Sequence, residues 1–497
     1  MLSFICQEGA PHMRSIHLCI IQPLGYVHAL GFLDQARYLR HQFRRFGVDV
    51  TMSKNRLRHD AVNVIFGAHL GFDPELRKRY ACVFFNLEQM GPDGASLPSS
   101  YLDLLATSAV IDYNQSNPKH YTSHVDDVPI IGFGHAPYLK ADALAFSDRP
   151  IDVLFLGSMN ERRRKIIDAI EAGGTSVTLV DSAVYGPERD ELIQQSKLVL
   201  NCHFYEAARF EQARAFQCLS LGAGFVSERT AATCPPPQFE QSVFWVDDGD
   251  WGRTIRGLLN DPELPYRVQA ALSLFAEHDL TDEYADAFVF MQSFAEAHLS
   301  SLPSEPWRPT RLHIGSGKDY RPGWLNVDIL ERAEPDVLLN LAESCAWPLS
   351  FQSPVVGPVI LEPGSIDLVY ANNVLEHVPD LPTLMTNCLT LLRDGGVMEI
   401  EVPYEHARTA WQDPTHIRAM NEASWLYYTD WFWYLGWFHH RFHLTEFTYL
   451  DAHLKPCEKT VAHFMRVRLT KATTSLSERM TARTFQSHFG GIPDDVA

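Results

Sequence analysis

No stretch of this chain approaches the eighteen or more apolar residues that a membrane-spanning helix needs, so no transmembrane segment is expected. Paired cysteines at Cys-x-x-Cys spacing are absent too. The nine cysteines (Cys6, Cys19, Cys82, Cys202, Cys218, Cys234, Cys345, Cys388 and Cys457) are dispersed and odd in number, which points to reduced thiols and argues against a zinc site. Basic residues are short of acidic ones, 42 Lys and Arg against 61 Asp and Glu, for a formal charge of -19. Such an acidic body is a poor general binder of nucleic acid or of an anionic membrane, and no nucleic-acid partner is expected. The N-terminus lacks a basic region followed by an apolar core, so no signal peptide is expected and the location is taken as cytoplasmic. Met13 and Arg14 directly precede the first apolar run, and residues 1–12 read as a disordered extension or a mis-set start.

What is present is a globular composition, 46% hydrophobic and 21% charged, over 497 residues. That length suggests about three domains. Ser15–Ile21 is a continuous apolar run of the kind a buried parallel strand shows, and Leu30–Phe46 has helical spacing with Leu33, Ala36, Leu39 and Phe43 on one face. Further strands are expected at Val48–Thr51, Ala61–Phe66, Ala81–Leu87, Ala106–Asp112 and Val128–Gly132. A second alternating series starts at Ile151–Gly157. It continues with helix Glu161–Ala172, strand Ser176–Val180, helix Pro187–Ser196, strand Lys197–Asn201, helix Phe210–Leu219 and strand Gly224–Ser227. Strand–helix alternation of this kind argues for open α/β sheets. The segment Ser300–Pro309 carries three prolines and no periodicity, as a linker does. The expected division is 1–140, 141–299, a linker at 300–310, and 311–497.

The most informative stretch is Arg311-Leu-His-Ile-Gly-Ser-Gly-Lys-Asp-Tyr-Arg-Pro-Gly-Trp-Leu-Asn-Val-Asp328, which reads as strand, glycine turn, short crossover and second strand. Gly315 and Gly317 let the backbone turn tightly and approach a ligand. Asp328 ends the second strand, where a carboxylate can accept hydrogen bonds from ribose hydroxyls. A lone Gly-x-Gly is otherwise an ordinary turn, but a second cluster follows at Ser365-Ile-Asp-Leu-Val-Tyr-Ala-Asn-Asn-Val-Leu-Glu-His377.

Together these two stretches resemble the class I S-adenosylmethionine-dependent methyltransferases. Two departures from that family's pattern stand out: His313 occupies the place of an acidic residue, and the third glycine of the longer fingerprint is missing. The resemblance implies a Rossmann-like domain whose first helix is shortened to about a turn. It implies that Gly315, Ser316 and Gly317 pack under S-adenosyl-L-methionine, that Asp328 takes its ribose, and that Ile329 and Leu341 flank its adenine. Asn372 and Asn373 then line the floor. It also places Asp413 and His416, from Asp413-Pro-Thr-His416, over the methyl group, with His416 as preferred general base; a loop histidine bonded to backbone is the other possibility. His377 is either a base or a capping residue. The aromatic run 425–443 suits an acceptor lid, a membrane-interface contact, or plain core. His416, His439, His440 and His443 have no carboxylate at fixed helical spacing to complete a metal site, and no metal is expected.

The first two domains resemble the GT-B glycosyltransferases. Phe155-Leu-Gly-Ser158 with Arg162-Arg163, Asn201-Cys-His203, and Arg214 to Gly222 are similar to the donor half of CgeB-like or group 1 members. Asn86-Leu-Glu-Gln89 and Asp112–Asn117 are similar to a polysaccharide-associated branch. The resemblance implies a nucleotide-sugar donor held by Gly157, Ser158, Arg163, His203, Glu211, Arg214 and Gln217, with His28 or Glu88 as base and a glycan or glycoconjugate as acceptor. Gln217 stands where the common motif has a glutamate, which opens the alternative of a catalytically inactive acceptor-binding module or of an assembly scaffold. The fold class expected for the whole chain is thus α/β: two Rossmann-like domains in GT-B arrangement followed by a class I methyltransferase Rossmann-like domain.

Overall fold

The computed structural model describes residues 15–91, 94, 96–139, 144–205, 208–247, 249–301 and 305–486. The extension at residues 1–12 lies outside them. Two compact units are present, Met1–Leu302 and Pro303–Ala497. Every described cysteine is a free thiol, and no described helix is long and apolar enough to cross a membrane.

The first unit holds two five-stranded sheets. One comprises β1 (Ser15–Ile20), β2 (Asp49–Lys54), β3 (Val62–Phe66), β4 (Cys82–Asn86) and β5 (Ala109–Asp112), in the order β2-β1-β3-β4-β5. The other comprises β6 (Ile151–Leu156), β7 (Thr178–Val180), β8 (Ser196–Asn201), β9 (Gly224–Glu228) and β10 (Phe244–Val246), in the order β10-β9-β8-β6-β7. Every pairing in both is parallel. Strands such as β3 and β4 are buried at every position because a parallel sheet is covered on both faces, which is why they are apolar apart from the buried Asn63 and Asn86. Helices α1 (Leu33–Arg44), α2 (Ser99–Ala106), α3 (Glu161–Ala172), α4 (Pro187–Gln194) and α5 (Gln212–Ser220) supply covering faces. The Asn160 side chain caps α3 by accepting from the Arg163 amide, and Pro187 opens α4 where no amide donor is needed.

The expected strand Val128–Gly132 does not form. A single bridge joins Ile130 to Asp112, and Pro129 has no amide to extend a ladder. The backbone donors that follow go to side chains instead: Gly132 to Glu283, Phe133 to Gln212, Gly134 to the Tyr38 hydroxyl and Ala136 to Ser220, all at 2.9–3.2 Å. Helix Thr281–Ser301 packs back against α1 and its exit, with Tyr284 edge-on to Phe43 and Phe288 stacked on Phe46.

The second unit is built on a seven-stranded sheet with order β13-β12-β11-β16-β17-β19-β18. Its strands are β11 (Arg311–Ile314), β12 (Leu325–Asp328), β13 (Val337–Leu338), β16 (Ile366–Asn372), β17 (Leu392–Pro403), β18 (His440–Leu450) and β19 (Phe464–Thr473); β14 (Leu349–Ser353) and β15 (Gly357–Leu361) form a separate hairpin. β19 runs antiparallel to both its neighbours, and the remaining pairs are parallel. The β11–β12 connection contains turns and no helix, as its length demands. Trp307, read as linker, pairs with the backbone of Val359.

Candidate functional site

Among the parallel strands of each sheet the chain reverses its winding direction once, and ligand crevices form outside the carboxyl ends of strands at such switch points. The first sheet switches between β1 and β3, the second between β6 and β8, and the sheet of the second unit between β11 and β16.

In the first unit these ends open onto a cleft of about 460 Å³. Gly157 and Ser158 reach it from the end of β6, and Glu211, Arg214 and Gln217 from the start of α5. His28 and Glu88 face it from the first sheet's side. His28 Nδ1 lies 3.2 Å from the Tyr185 hydroxyl. The Glu88 carboxyl is pushed upward by burial, with His69 3.8 Å away. Arg214 pairs with Glu211 at 3.0 Å while its Nη1 stays buried without a partner. Two expected residues do not line the cleft. Arg163 donates to the carbonyls of Cys202 and Ser158, tying β8 to the β6 turn. His203 is wholly buried behind the surface, its backbone amide bonded to Glu228. Arg209, which no motif singles out, lines the cleft and reaches Asn117 at 2.5 Å.

In the second unit Gly315 follows β11 with φ +60°, and a Cβ there would lie 2.4 Å from Val374. Gly317 has φ +49° and nothing nearer than 3.9 Å to a Cβ position, so open space lies above it. Its amide donates to Asp328 Oδ2 at 2.9 Å, and the Leu330 amide donates to Oδ1 at 2.9 Å. Two backbone donors thus fix the orientation of a carboxylate that is only 7% exposed. Each oxygen keeps a lone-pair site for a further donor. Ser316 is buried, and its amide bonds to Val327. Ile329 is 65% exposed beside Asp328, whereas Leu341 is buried, its carbonyl held by Asn387. Asn372 ends β16, and Asn373 adopts φ +51° with its side chain donating to Asn372 at 3.0 Å. His313 is turned into the core, 3.2 Å from Asn326 and packed on Tyr370, and burial lowers its pKa.

Residues 265–446 match the family model for a methyltransferase domain. The second unit is similar, over most of that stretch, to a methyltransferase domain. Its sheet order and single antiparallel strand are those of a class I Rossmann-like fold. The matched residues begin within the last helices of the first unit and end inside β18. Among curated proteins, the chain is 29% identical over 152 residues to an uncharacterized protein of Acanthamoeba polyphaga mimivirus, covering 29% of this chain and 46% of the relative. It is 36% identical over 80 residues to the ubiquinone biosynthesis O-methyltransferase of Cupriavidus pinatubonensis, covering 16% of this chain and 28% of that protein. The chain therefore spans less than half the length of these relatives. Among solved structures, Anabaena HepE in complex with UDP-glucose is 14% identical, with 58% of this chain and 100% of that chain covered and a TM-score of 0.37. An S-adenosylmethionine-dependent methyltransferase from Mesorhizobium loti is also 14% identical, with 35% and 94% covered and a TM-score of 0.22.

Beyond Asn373 the second unit gathers Glu376, His377 and His416, with Asp413 close by. The Ile417 amide bonds to the Glu376 carbonyl at 3.0 Å, pinning the 413–417 loop to the turn after β16. Asp413 accepts from the backbone and hydroxyl of Thr415, which holds its carboxyl below the usual range. His377 and His416 stand edge to face, 4.7 Å between ring centroids. Burial pushes the Glu376 carboxyl up to about 7. His439, His440 and His443 belong elsewhere: His440 faces Asp394, and His443 lies against Arg441 on β18. The aromatic run divides. Trp425, Tyr428, Phe432, Trp437, Phe438 and Phe442 are core, whereas Tyr427, Trp431 and Tyr434 form an exposed edge-to-face cluster.

Proposed function

We propose that the chain is a bifunctional enzyme, an S-adenosyl-L-methionine-dependent methyltransferase joined to a GT-B-type glycosyltransferase, both acting on one glycan or glycoconjugate. Its setting on this reading is surface polysaccharide biosynthesis in the cytoplasm. Residues 1–140 form the acceptor-side domain, 141–299 the nucleotide-sugar domain, 300–310 the linker and 311–497 the methyltransferase. Holding both activities on one chain raises the effective concentration of the first product at the second site.

The observation that carries the methyltransferase half is the Asp328 carboxylate, oriented by the Gly317 and Leu330 amides with a lone-pair site left on each oxygen. A vicinal diol such as a ribose fits that arrangement. The chemistry is an in-line displacement. The acceptor's lone pair forms the bond to the methyl carbon while the carbon–sulfur bond breaks, and sulfur leaves as a neutral thioether. Positioning supplies most of the acceleration. A hydroxyl acceptor must also lose its proton, and on this reading His416, supported by Glu376 and His377, promotes that loss. Arg214, with Nη1 unpartnered in the cleft, supports a diphosphate site in the first unit. Gln217 favours the second reading, in which the cleft binds an acceptor without catalysis, because an amide lacks the charge of a glutamate.

Thermal-shift titration of the full chain with S-adenosylhomocysteine and a panel of nucleotide sugars, UDP-glucose first, tests this. Both ligand classes should stabilise, the first losing its effect in Asp328→Ala and the second in Arg214→Ala. Stabilisation by the first alone selects the inactive-cleft reading. Stabilisation by neither overturns the proposal in favour of a scaffold.

A further inference from the structure

Glu376 is a charged side chain only 2% exposed whose two carboxylate oxygens both lack a hydrogen-bond partner. Burying a carboxylate that way is costly unless something cationic or hydrogen-bonding meets it. What faces it is histidine: His416 Nε2 lies 3.9 Å from Glu376 Oε1. The ligand-capable atoms of Glu376, His377 and His416 all lie within 4.8 Å of one another, and this is the one such group among the described residues.

The far side of each ring decides what the near side can do. His416 Nδ1 is 3.0 Å from the Ala410 carbonyl, an oxygen that can only accept, so this nitrogen carries the proton. His377 Nδ1 is 3.0 Å from the Thr415 hydroxyl and 3.3 Å from the Thr415 carbonyl. The carbonyl makes it a donor as well. Both imidazoles are thereby held as the tautomer whose Nε2 lone pair is free. Backbone carbonyls orient metal-binding histidines in this same way. The Thr415 hydroxyl in turn donates to Asp413, so the supporting layer continues outward to a carboxylate.

We propose that Glu376, His377 and His416 bind a divalent first-row transition cation. Two imidazoles and one carboxylate suit zinc, manganese or iron(II) better than magnesium or calcium, which prefer all-oxygen shells. Ligand bonds of about 2.0–2.2 Å set tetrahedrally hold donors about 3.3–3.6 Å apart, so the Glu376–His416 pair at 3.9 Å closes by about half an ångström and the third donor, within 4.8 Å, by about an ångström or slightly more. Three protein ligands leave coordination positions open on the side of His377, which is half-buried where Glu376 is enclosed. A neutral His pair with one carboxylate leaves the bound ion a net charge of +1, able to acidify a coordinated hydroxyl. That last consequence rests on the methyltransferase reading; the site itself does not.

The three ligands themselves explain why spacing alone did not expose the site. Glu376 and His377 are neighbours in sequence, which no helical ligand pair would be, and His416 arrives from a loop that only the Ile417–Glu376 backbone bond brings alongside.

The test uses chelator-treated full-length protein titrated with Zn²⁺ and, separately, Mn²⁺ by calorimetry, with bound metal counted after desalting. One equivalent of Zn²⁺ should bind, about 100-fold more weakly in Glu376→Gln and in His416→Ala. The His439→Ala/His440→Ala double variant should bind as the parent does. Co²⁺ substitution should give visible absorption bands that Glu376→Gln abolishes. S-adenosylhomocysteine binding and circular dichroism report whether each variant is folded, and Glu376→Gln is near-isosteric. Equal Zn²⁺ affinity in parent and Glu376→Gln, or loss of binding in the His439/His440 variant, means an adventitious ion only and overturns the proposal. If Zn²⁺ binds and S-adenosylhomocysteine does not, the cofactor reading fails and the metal site stands; the reverse result removes the metal site alone.

Discussion

Gly315 backs directly onto Val374: a Cβ on the glycine would sit 2.4 Å from Val374 Cγ2, in a backbone already at φ +60°. Gly317, two residues on, is also left-handed but faces open space. The two glycines therefore serve different ends, one packing strand β11 against the turn after β16, the other leaving room.

Substituting them should separate stability from binding. Gly315→Ala combines left-handed strain of about 1–2 kcal/mol with a clash into branched side-chain atoms, and should lower the unfolding midpoint of the second unit by several degrees. Gly317→Ala should cost only about 1 kcal/mol of stability yet weaken S-adenosylhomocysteine binding at least about tenfold. Differential scanning calorimetry beside calorimetric titration distinguishes them, and equal effects of the two would contradict the division.

Arg214 is expected to matter for anionic ligands and little for folding. It is half-buried on the cleft wall and pairs with Glu211 at the start of α5. Arg214→Ala should reduce affinity for a nucleoside diphosphate by about 10–100-fold, since charge-assisted bonds contribute about 1.5–3 kcal/mol each. Unchanged affinity by titration would show that the diphosphate does not sit there.

Asp34 on α1 and Arg189 on α4 form a buried pair at 2.6 Å, the carboxylate 2% exposed. Removing one partner of a buried pair costs about 3–5 kcal/mol when the other charge is left alone, but Arg189 also pairs with Asp190, so the loss here should fall below that range. Asp34→Ala should therefore destabilise the first unit measurably, and Asp34→Ala/Asp190→Ala, which does leave Arg189 alone, should destabilise it more. Chemical denaturation of the single and double variants measures it; a single variant as stable as the parent would refute the pair's importance.

Acid should weaken the first unit through His17. Burial lowers its pKa from the ordinary 6.5 to about 4, with its ring bonded to Thr51, Ser53 and the Arg56 carbonyl. Between these values the unfolded chain takes up a proton that the folded chain refuses, so stability is complete above pH 6.5 and falls as pH drops toward 4. The loss should be on the order of 2–3 kcal/mol from this residue. His17→Asn should flatten that limb of a pH–stability curve measured by denaturant unfolding; an unchanged slope would clear His17 of the role.

Much of this was legible from residue order alone. Mostly apolar stretches marked β3 and β4, because parallel strands covered on both faces have little polar side to show. The glycine turn and Asp328 were legible because backbone freedom and a strand-end carboxylate are local properties. Val128–Gly132 misled for a local reason too. Its apolar pattern matches a strand, but its amides find Glu283, Gln212 and Tyr38, partners far away in sequence.

Order along the chain was thus enough to mark most strands of the first two sheets, the Gly315–Gly317 turn and the acid at the end of β12, since each depends on neighbours a few residues apart, whereas β18 and β19 escaped it. Only the folded arrangement could decide that His203 and Arg163 are withdrawn from the cleft while Arg209 enters it. It alone brings His416 to a buried, unpartnered Glu376. Those outcomes depend on how distant segments meet and on which buried charges find partners, and neither is encoded in spacing along the chain.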